Sequence, residues 1–169
     1  DGIYIIGQND NQEKGWIGQS LYSKHILKIS ELYSPPPVNL KFELRNGNFI
    51  TKAIGQNITN CVNDVSDGGL AISLAEILLN SKIPNIGAII DKSFIKKCES
   101  FWFGEDQGRY LICSSKHHEL INLAKSERIR VSKIGSINSS SRLTFSKDDY
   151  ICIKELFNLS KNWLKEFMA

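Results

Sequence analysis

The chain has 169 residues, of which 41% are hydrophobic and 23% charged, the ordinary balance of a globular protein. That length can bury one sizeable core but is cramped for two, so we expect a single domain over residues 1–169. No apolar run approaches the roughly 20 residues that cross a bilayer, and the net charge of +3 comes from dispersed lysines, so neither a membrane nor a nucleic-acid partner is expected.

The first half of the chain combines short apolar runs with stretches at helical spacing. Ser20 is a suitable N-cap, and the proline triplet at 35–37 can precede a helix but not continue one. Asn46–Asn48 is a candidate interruption of the helix that contains it. In chain order the patterns predict a strand at 3–6, a helix at 21–27, a helix at 38–53, a strand at 58–65 and a helix at 70–79.

The second half alternates strands and helices in the same way. The serine-rich link 138–141 predicts that the two strands beside it form a hairpin. Together the elements indicate an α/β or α+β layered domain, a mixed β-sheet packed with helices. The predicted elements are a strand at 86–90, a helix at 93–101, a strand at 109–114, a helix at 116–128, strands at 130–137 and 143–145, and a C-terminal helix from residue 153.

The cysteines do not have the spacing of a zinc site. They lie in mostly apolar surroundings, which predicts buried free thiols in a reducing compartment, and we expect a cytoplasmic protein. The histidines have no carboxylate or thiol at ligand spacing, so we expect them at the surface. The cysteines are Cys61, Cys98, Cys113 and Cys152, and the histidines are His25, His117 and His118.

The most informative stretch is an acidic turn between a strand and a helix, at residues 63–70. Gly68 and Gly69 at the start of a helix let a ligand approach the backbone, where free N–H groups and the helix dipole attract anions. Asp64 and Asp67 would repel a bare phosphate, so a bound phosphate requires a divalent cation, most simply Mg²⁺. The structural alternative is that Asp67 only caps the helix.

A second polar cluster lies in the loop at 104–109, between an aromatic segment and a predicted strand. Its polar side chains are bounded by glycines, which is typical of a loop that faces a ligand. An ordinary solvated turn is the alternative. We expect this loop and the acidic turn to line the same concave wall.

These segments resemble motifs of the large subunit of phosphoribosylformylglycinamidine synthase. Residues 63–71 resemble the family's HDVSDGGLA motif, and residues 103–109 resemble its LFSE-x-QSR loop. Residues 18–22 resemble the GGSEY segment, and the prolines at 35–37 resemble a proline pair. Asn63 stands where the family has histidine, Gln19 where it has glycine, and Gly104 and Gly108 where it has serine.

The resemblance implies the C-terminal domain of an ATP-dependent ligase that aminates formylglycinamide ribonucleotide to formylglycinamidine ribonucleotide in purine biosynthesis. It implies two non-equivalent halves in the full-length protein, of which this chain would cover the auxiliary nucleotide pocket. ATP or ADP and Mg²⁺ would be the cofactors. The partners would be N-terminal domains of the same polypeptide, a glutaminase subunit and a small bridging subunit. We therefore expect the chain to be a piece of a longer polypeptide, inactive by itself.

The resemblance also assigns roles to particular residues. Asp64 and Asp67 would hold the metal, and no residue of this chain would be catalytic. Two other interpretations stay open: the C-terminal domain of a related enzyme, such as aminoimidazole ribonucleotide synthetase, selenophosphate synthetase or thiamine-monophosphate kinase, and a purely structural docking domain. The predicted nucleotide or substrate contacts are Ser20, Gly68, Gly69, Glu105, Gln107 and Arg109.

Overall fold

The computed structural model describes residues 1–7, 15–29 and 34–168. Within these ranges the strands are β1 Gly2–Ile6, β2 Cys61–Asp64, β3 Gly87–Ile90, β4 Tyr110–Ser114, β5 Val131–Asn138, β6 Arg142–Thr144 and β7 Tyr150–Cys152. They form one mixed sheet in the order β2-β4-β1-β5-β3-β6-β7. Only the β3–β6 pair of this sheet is parallel. The predicted fold class, a mixed sheet packed with helices, is confirmed.

Helices surround this sheet. They are α1 Leu40–Gly55, α2 Gly69–Leu79, α3 Lys92–Ile95, α4 Glu99–Phe103, α5 His117–Glu127 and α6 Ile153–Phe167, with a π-helix at Ser23–Leu27. The side chain of Asn39 caps α1 by accepting a hydrogen bond from the backbone N–H of Phe42. Within the described ranges, no helix has the length and apolar character needed to cross a bilayer.

Two hydrophobic cores lie on opposite faces of the sheet because side chains alternate along each strand. In β1, Ile3 and Ile5 face the core that contains residues of α2 and α4. Tyr4 and Ile6 face the second core, which contains residues of α1 and α5. All four side chains are at most 2% exposed. The strand β1 therefore belongs to both cores. The strand β2 lies at one edge of the sheet, beside β4.

Two helix predictions are wrong in detail. The helix α1 runs through Asn46 without a break, because this residue is buried and its Nδ2 donates to the Gly108 carbonyl at 2.9 Å. That tertiary contact offsets the weak helix propensity of the segment. The single helix predicted at 93–101 is two short helices, α3 and α4.

The predicted hairpin between the strands at 130–137 and 143–145 is also wrong. The strand β3 lies between β5 and β6, and it pairs with β5 antiparallel and with β6 in parallel. The link does not close a hairpin, because the Ser141 N–H donates to the Asn85 carbonyl at the entrance to β3. The strand β7, which the sequence patterns do not predict, pairs with β6.

The four cysteines differ in exposure more than their sequence surroundings indicate. Cys113 is buried, Cys61 and Cys152 are half-buried, and Cys98 is exposed. The expectation of uniformly buried thiols is therefore wrong for Cys98, which lies outside the sheet at the N-cap of α4. Among the histidines, Nδ1 of His117 shares a hydrogen bond with the hydroxyl group of Tyr4 at 3.0 Å.

Candidate functional site: the acidic turn and its supporting loop

The acidic turn connects β2 to α2 through two left-handed glycines. Gly68 has φ 78° and Gly69 has φ 68°, a region that side-chain-bearing residues rarely occupy. The backbone of Gly69 also packs directly on the segment 102–104. A Cβ atom at Gly69 would lie 2.6 Å from the Gly104 carbonyl oxygen. The glycines are therefore required both by the turn and by the close approach of the neighbouring loop.

Glu105 joins this turn to two other segments. Its Oε1 accepts hydrogen bonds from the backbone N–H of Gly68 at 2.8 Å and of Leu21 at 2.7 Å. A carboxylate that accepts two N–H groups makes charge-assisted hydrogen bonds, which are stronger than neutral ones. The structure thus brings the three motif-like segments together around one side chain, as the sequence predicts for the turn and the loop.

The N–H groups of both glycines are occupied inside the chain. Gly68 donates to Glu105, and Gly69 donates to the Ser66 carbonyl at 3.0 Å. The two glycines shape the turn, and neither of their N–H groups faces an open anion site. Any phosphate contact with this backbone would have to come from later residues of the first turn of α2, whose N–H groups lack helical partners.

Ser20 is a helix cap in the structure. Its hydroxyl donates to the Ile17 carbonyl at 2.7 Å, and its Oγ accepts from the Ser23 N–H at 3.1 Å. The side chain is fully buried. The capping prediction is confirmed, while the hydroxyl that the resemblance assigns to a ligand is engaged by the protein backbone.

Arg109 lies in the interior, whereas the sequence predicts it in the lining of a cleft. Its Nη1 is 2.6 Å from Oδ2 of Asp106, and its Nη2 donates to the Phe101 carbonyl at 3.2 Å. Asp106 also accepts from the Trp16 N–H at 3.0 Å. Burial lowers the pKa of Arg109, and the charge of Asp106 opposes that shift. This pair fixes the loop 104–109 from within.

Three predicted residues are exposed and have no internal side-chain partner. The side chains of Asp64, Asp67 and Gln107 make no hydrogen bond or ion pair with the part of the chain that the structure describes. Asp67 does not cap α2, because the N-cap is Gly68 and no side chain of the helix start fulfils that role. The capping interpretation of Asp67 is therefore wrong, and these three groups are available for contacts outside the chain.

Asp64 has a neighbour, Tyr110, that the sequence patterns do not single out. It lies opposite Tyr110 in the β2–β4 register, and burial raises the pKa of its carboxyl group. The pKa of Tyr110 is raised first by burial and then by the charges of Asp64 and Glu43. Glu43 comes from α1, so only the three-dimensional fold places its charge near Tyr110.

The predicted site residues line none of four cavities of about 380 to 510 Å³ in the described part of the chain, although Asn63 at the start of the acidic turn lines one of them. Among the described residues, no group of three or more histidine, cysteine or acidic side chains is placed to hold a metal ion. Asp64 and Asp67 can supply two oxygen ligands of the kind Mg²⁺ prefers, with the others coming from phosphate and water.

Comparisons with known proteins agree with this architecture. Phosphoribosylformylglycinamidine synthase subunit PurL of Methylocella silvestris is 36% identical over 100% of this chain, and the same subunit of Rhodopseudomonas palustris is 34% identical over 100% of it. The chain spans about 22% of the length of both relatives.

Solved structures of Thermotoga maritima proteins share the fold. PurL complexed with FGAR superposes with a TM-score of 0.67 and 15% identity, covering 92% of this chain and 27% of that one. PurL complexed with ATP gives a TM-score of 0.63 at 14% identity, covering 92% and 25%. The family model described as AIR synthase related protein, C-terminal domain, matches residues 9–148. The chain therefore belongs to the C-terminal domain family of AIR synthase related proteins.

Proposed function

We propose that this chain is the C-terminal domain of the ATP-dependent ligase that aminates formylglycinamide ribonucleotide to formylglycinamidine ribonucleotide. The observation that carries the proposal is the acidic turn, where Asp64 and Asp67 are exposed without internal partners on a backbone fixed by Glu105. The relatives that match the whole chain bear the name of that synthase, which supports the choice of ligase over a related enzyme.

The contacts divide the predicted site residues into two groups, those bonded within the chain and those left exposed. Ser20, Gly68, Gly69, Glu105 and Arg109 are engaged inside the chain and hold the turn and the loop in place. Asp64, Asp67 and Gln107 are the groups left to meet a ligand. This division narrows the predicted ligand contacts to three side chains and gives the others a positioning role.

The two carboxylates fit a magnesium ion shared with a nucleotide. Mg²⁺ is commonly bound by one or two carboxylates together with phosphate oxygens and water, which needs no all-protein cage. When bound, the ion neutralises negative charge on the phosphates. Asp64 and Asp67 then act by orienting it, and the exposed amide of Gln107 can donate to a phosphate or ribose oxygen.

The exposure of Asp64, Asp67 and Gln107 supports a pocket completed by other parts of the protein. The chain covers only about 22% of its relatives, and T. maritima PurL has been solved in complexes with ATP, ADP and AMPPCP. We therefore place the acidic turn at the auxiliary nucleotide pocket, facing N-terminal domains of the same polypeptide. The T. maritima PurLQS structure supports further partners, which we take to be a glutaminase and a small bridging subunit in the cytoplasm.

Calorimetric titration of the complete ligase with ADP, with and without Mg²⁺, tests this proposal. We expect the Asp64→Asn, Asp67→Asn double variant to bind Mg²⁺-ADP at one site roughly tenfold more weakly, about 1.4 kcal/mol. In the absence of Mg²⁺ it should bind ADP as well as the wild type does. The matched control is Asp91→Asn, an exposed aspartate that makes no capping hydrogen bond at α3.

Two results would count against the proposal. Equal Mg²⁺-ADP affinity in the double variant and the wild type would show that Asp64 and Asp67 do not bind the Mg²⁺-ADP complex. If the double variant also loses thermal stability without any change in ADP binding, the acidic turn serves only the architecture, and the domain is a structural docking module.

A further inference from the structure

Two cysteines face each other across neighbouring strands, away from the acidic turn. Cys61, the first residue of β2, pairs directly with Cys113 near the end of β4. Both side chains point to the face of the sheet covered by α2, where Cys113 belongs to the core and Cys61 packs against it. The two thiols affect each other's pKa. The register thus places two sulfur atoms side by side.

Direct neighbours in an antiparallel pair lie close enough for a disulfide. Their Cβ atoms are typically about 4.5–5.5 Å apart, whereas disulfides have Cβ separations of about 3.5–4.5 Å. These typical separations differ by about 1 Å. The strand β2 is at the edge of the sheet and has a strand neighbour on one side only, so it can move more freely than a central strand. The strand register therefore favours this pair for a disulfide.

A cavity of about 380 Å³ is lined by both cysteines. It lies between the start of β2 and the end of α2, and its lining includes Cys61, Cys113, Glu76, Asn80 and Ile83. This volume admits a small polar solute. Neither Cys98 nor Cys152 lines this cavity, so the access route is specific to the pair.

The two thiols are chemically unequal. The interaction with Cys113 lowers the pKa of Cys61 to about 7, against the opposing effect of burial. The interaction with Cys61, together with burial, raises the pKa of Cys113. Of the two, Cys61 therefore ionises first and supplies the thiolate, the form that attacks electrophiles.

We propose that Cys61 and Cys113 form an oxidative modification site, at which a small hydroperoxide entering the cavity converts the thiol pair into a disulfide. The sulfur of Cys61 attacks one peroxide oxygen, the O–O bond breaks, and the leaving oxygen departs with a proton as water or alcohol. Cys61 becomes a sulfenic acid. The sulfur of Cys113 then attacks it, the S–O bond breaks, and water leaves with the Cys113 proton. Two thiols lose two electrons and two protons, and the peroxide is reduced.

The test is peroxide treatment of the folded wild-type chain, followed by alkylation of remaining thiols and peptide mass spectrometry. We expect a linked peptide pair containing Cys61 and Cys113, two hydrogens lighter than the sum of its parts and restored by dithiothreitol. Cys61→Ser and Cys113→Ala should each abolish the link. Cys98→Ser and Cys152→Ser are the matched controls and should leave it intact.

A second measurement separates reactivity from folding defects. In the Cys113→Ala variant, the pH midpoint for alkylation of Cys61 by iodoacetamide should rise above 7, because the interaction that lowers the pKa of Cys61 is gone. Circular dichroism reports whether the fold is kept. The proposal is overturned if peroxide oxidises Cys98 and leaves Cys61 and Cys113 reduced, or if disulfides join Cys61 to other cysteines as readily as to Cys113.

Discussion

Glu105 shows how a residue of a ligand-binding motif can act through the backbone. One of its carboxylate oxygens holds the N–H groups of Gly68 and Leu21, which belong to different segments of the chain. Its loss would leave two donors without their acceptor and would release the acidic turn from the loop. Glu105 is thus a positioning residue for Asp64 and Asp67.

We expect Glu105→Ala to lower the free energy of unfolding by about 1–3 kcal/mol, because a charge-assisted acceptor of two N–H groups is removed. Urea denaturation of the purified chain measures this difference. The control is Gln107→Ala in the same loop. Because the Gln107 side chain is exposed, this substitution should change the free energy of unfolding by less than about 0.5 kcal/mol. Equal effects of the two substitutions would contradict the positioning role.

Asp64 gives a pH-dependent prediction. Because burial raises the pKa of its carboxyl group above the ordinary value for aspartate, its ionisation opposes folding. The stability that the protonated carboxyl contributes is fully present below the unfolded pKa and is lost as the pH rises through the folded pKa. Asp64→Asn should therefore raise the Tm slightly at neutral pH, and the difference should vanish as the pH falls below about 4, the ordinary pKa of aspartate.

Thermal melts of the Asp64→Asn chain between about pH 3 and pH 7, which bracket the ordinary and the raised pKa, check this sign. Asp67→Asn serves as the control, because Asp67 is exposed, has no internal partner in the described part of the chain and should leave the Tm unchanged. A lower Tm for Asp64→Asn at neutral pH would show that the ionised carboxylate is stabilised by a contact within the chain.

At the level of single residues, the sequence identifies side chains but not the direction in which they point. The pattern of 104–109 correctly indicates a loop beside the acidic turn. It does not reveal that Arg109 and Asp106 turn inward, since a charged pair within a glycine-bounded loop is usually solvated. The sequence patterns also do not reveal that Tyr110 lies beside Asp64 or that Glu43 lies near Tyr110, because the first depends on strand pairing and the second on the position of α1.

Among the elements, the connection between β2 and α2 is the most constrained. Gly68 and Gly69 both adopt positive φ, and the backbone of Gly69 contacts the segment that carries Glu105. Here the sequence prediction of a tight glycine turn succeeds because glycine is the residue that such a backbone requires. The reason for the second glycine, contact with residues 102–104, can be found only in the folded chain.

We expect Gly69→Ala to lower the free energy of unfolding by at least about 2 kcal/mol, from the left-handed backbone and the contact with the Gly104 carbonyl. Gly55→Ala is the matched control, because a Cβ there meets nothing within 4 Å and the residue ends α1. That control should be neutral or more stable by up to about 1 kcal/mol. Guanidinium denaturation compares the two variants, and equal stability would refute the need for glycine at position 69.

The wrong hairpin prediction illustrates a limit of local patterns. Sequence periodicity reports which faces of a strand are buried, but the partner of each strand is a non-local property. The strand β3 precedes β5 by forty residues in the sequence, yet it lies between β5 and β6 in the sheet. The strands and the fold class are therefore largely predictable, while the order of strands is not.

On the scale of the whole molecule, Asp64, Asp67 and Gln107 are exposed side chains of one domain. Phosphoryl transfer depends on positioning of several groups around the nucleotide at once, and Asp64, Asp67 and Gln107 cannot enclose a nucleotide by themselves. We expect the purified 169-residue chain to release no ADP from ATP in the presence of Mg²⁺, formylglycinamide ribonucleotide and ammonia. A coupled ADP assay tests this, with the complete ligase as positive control, and substrate-dependent ADP release by the chain would contradict it.

The position of β1 in the sheet affects how this domain folds during its synthesis. Residues 2–6 are synthesised well before their partners in β4 and β5, which begin only at residues 110 and 131. At a synthesis rate of about 5–20 residues per second, this apolar strand waits at least about 5 s for a neighbour. Chaperones that shield nascent apolar segments therefore have a natural target in these five residues.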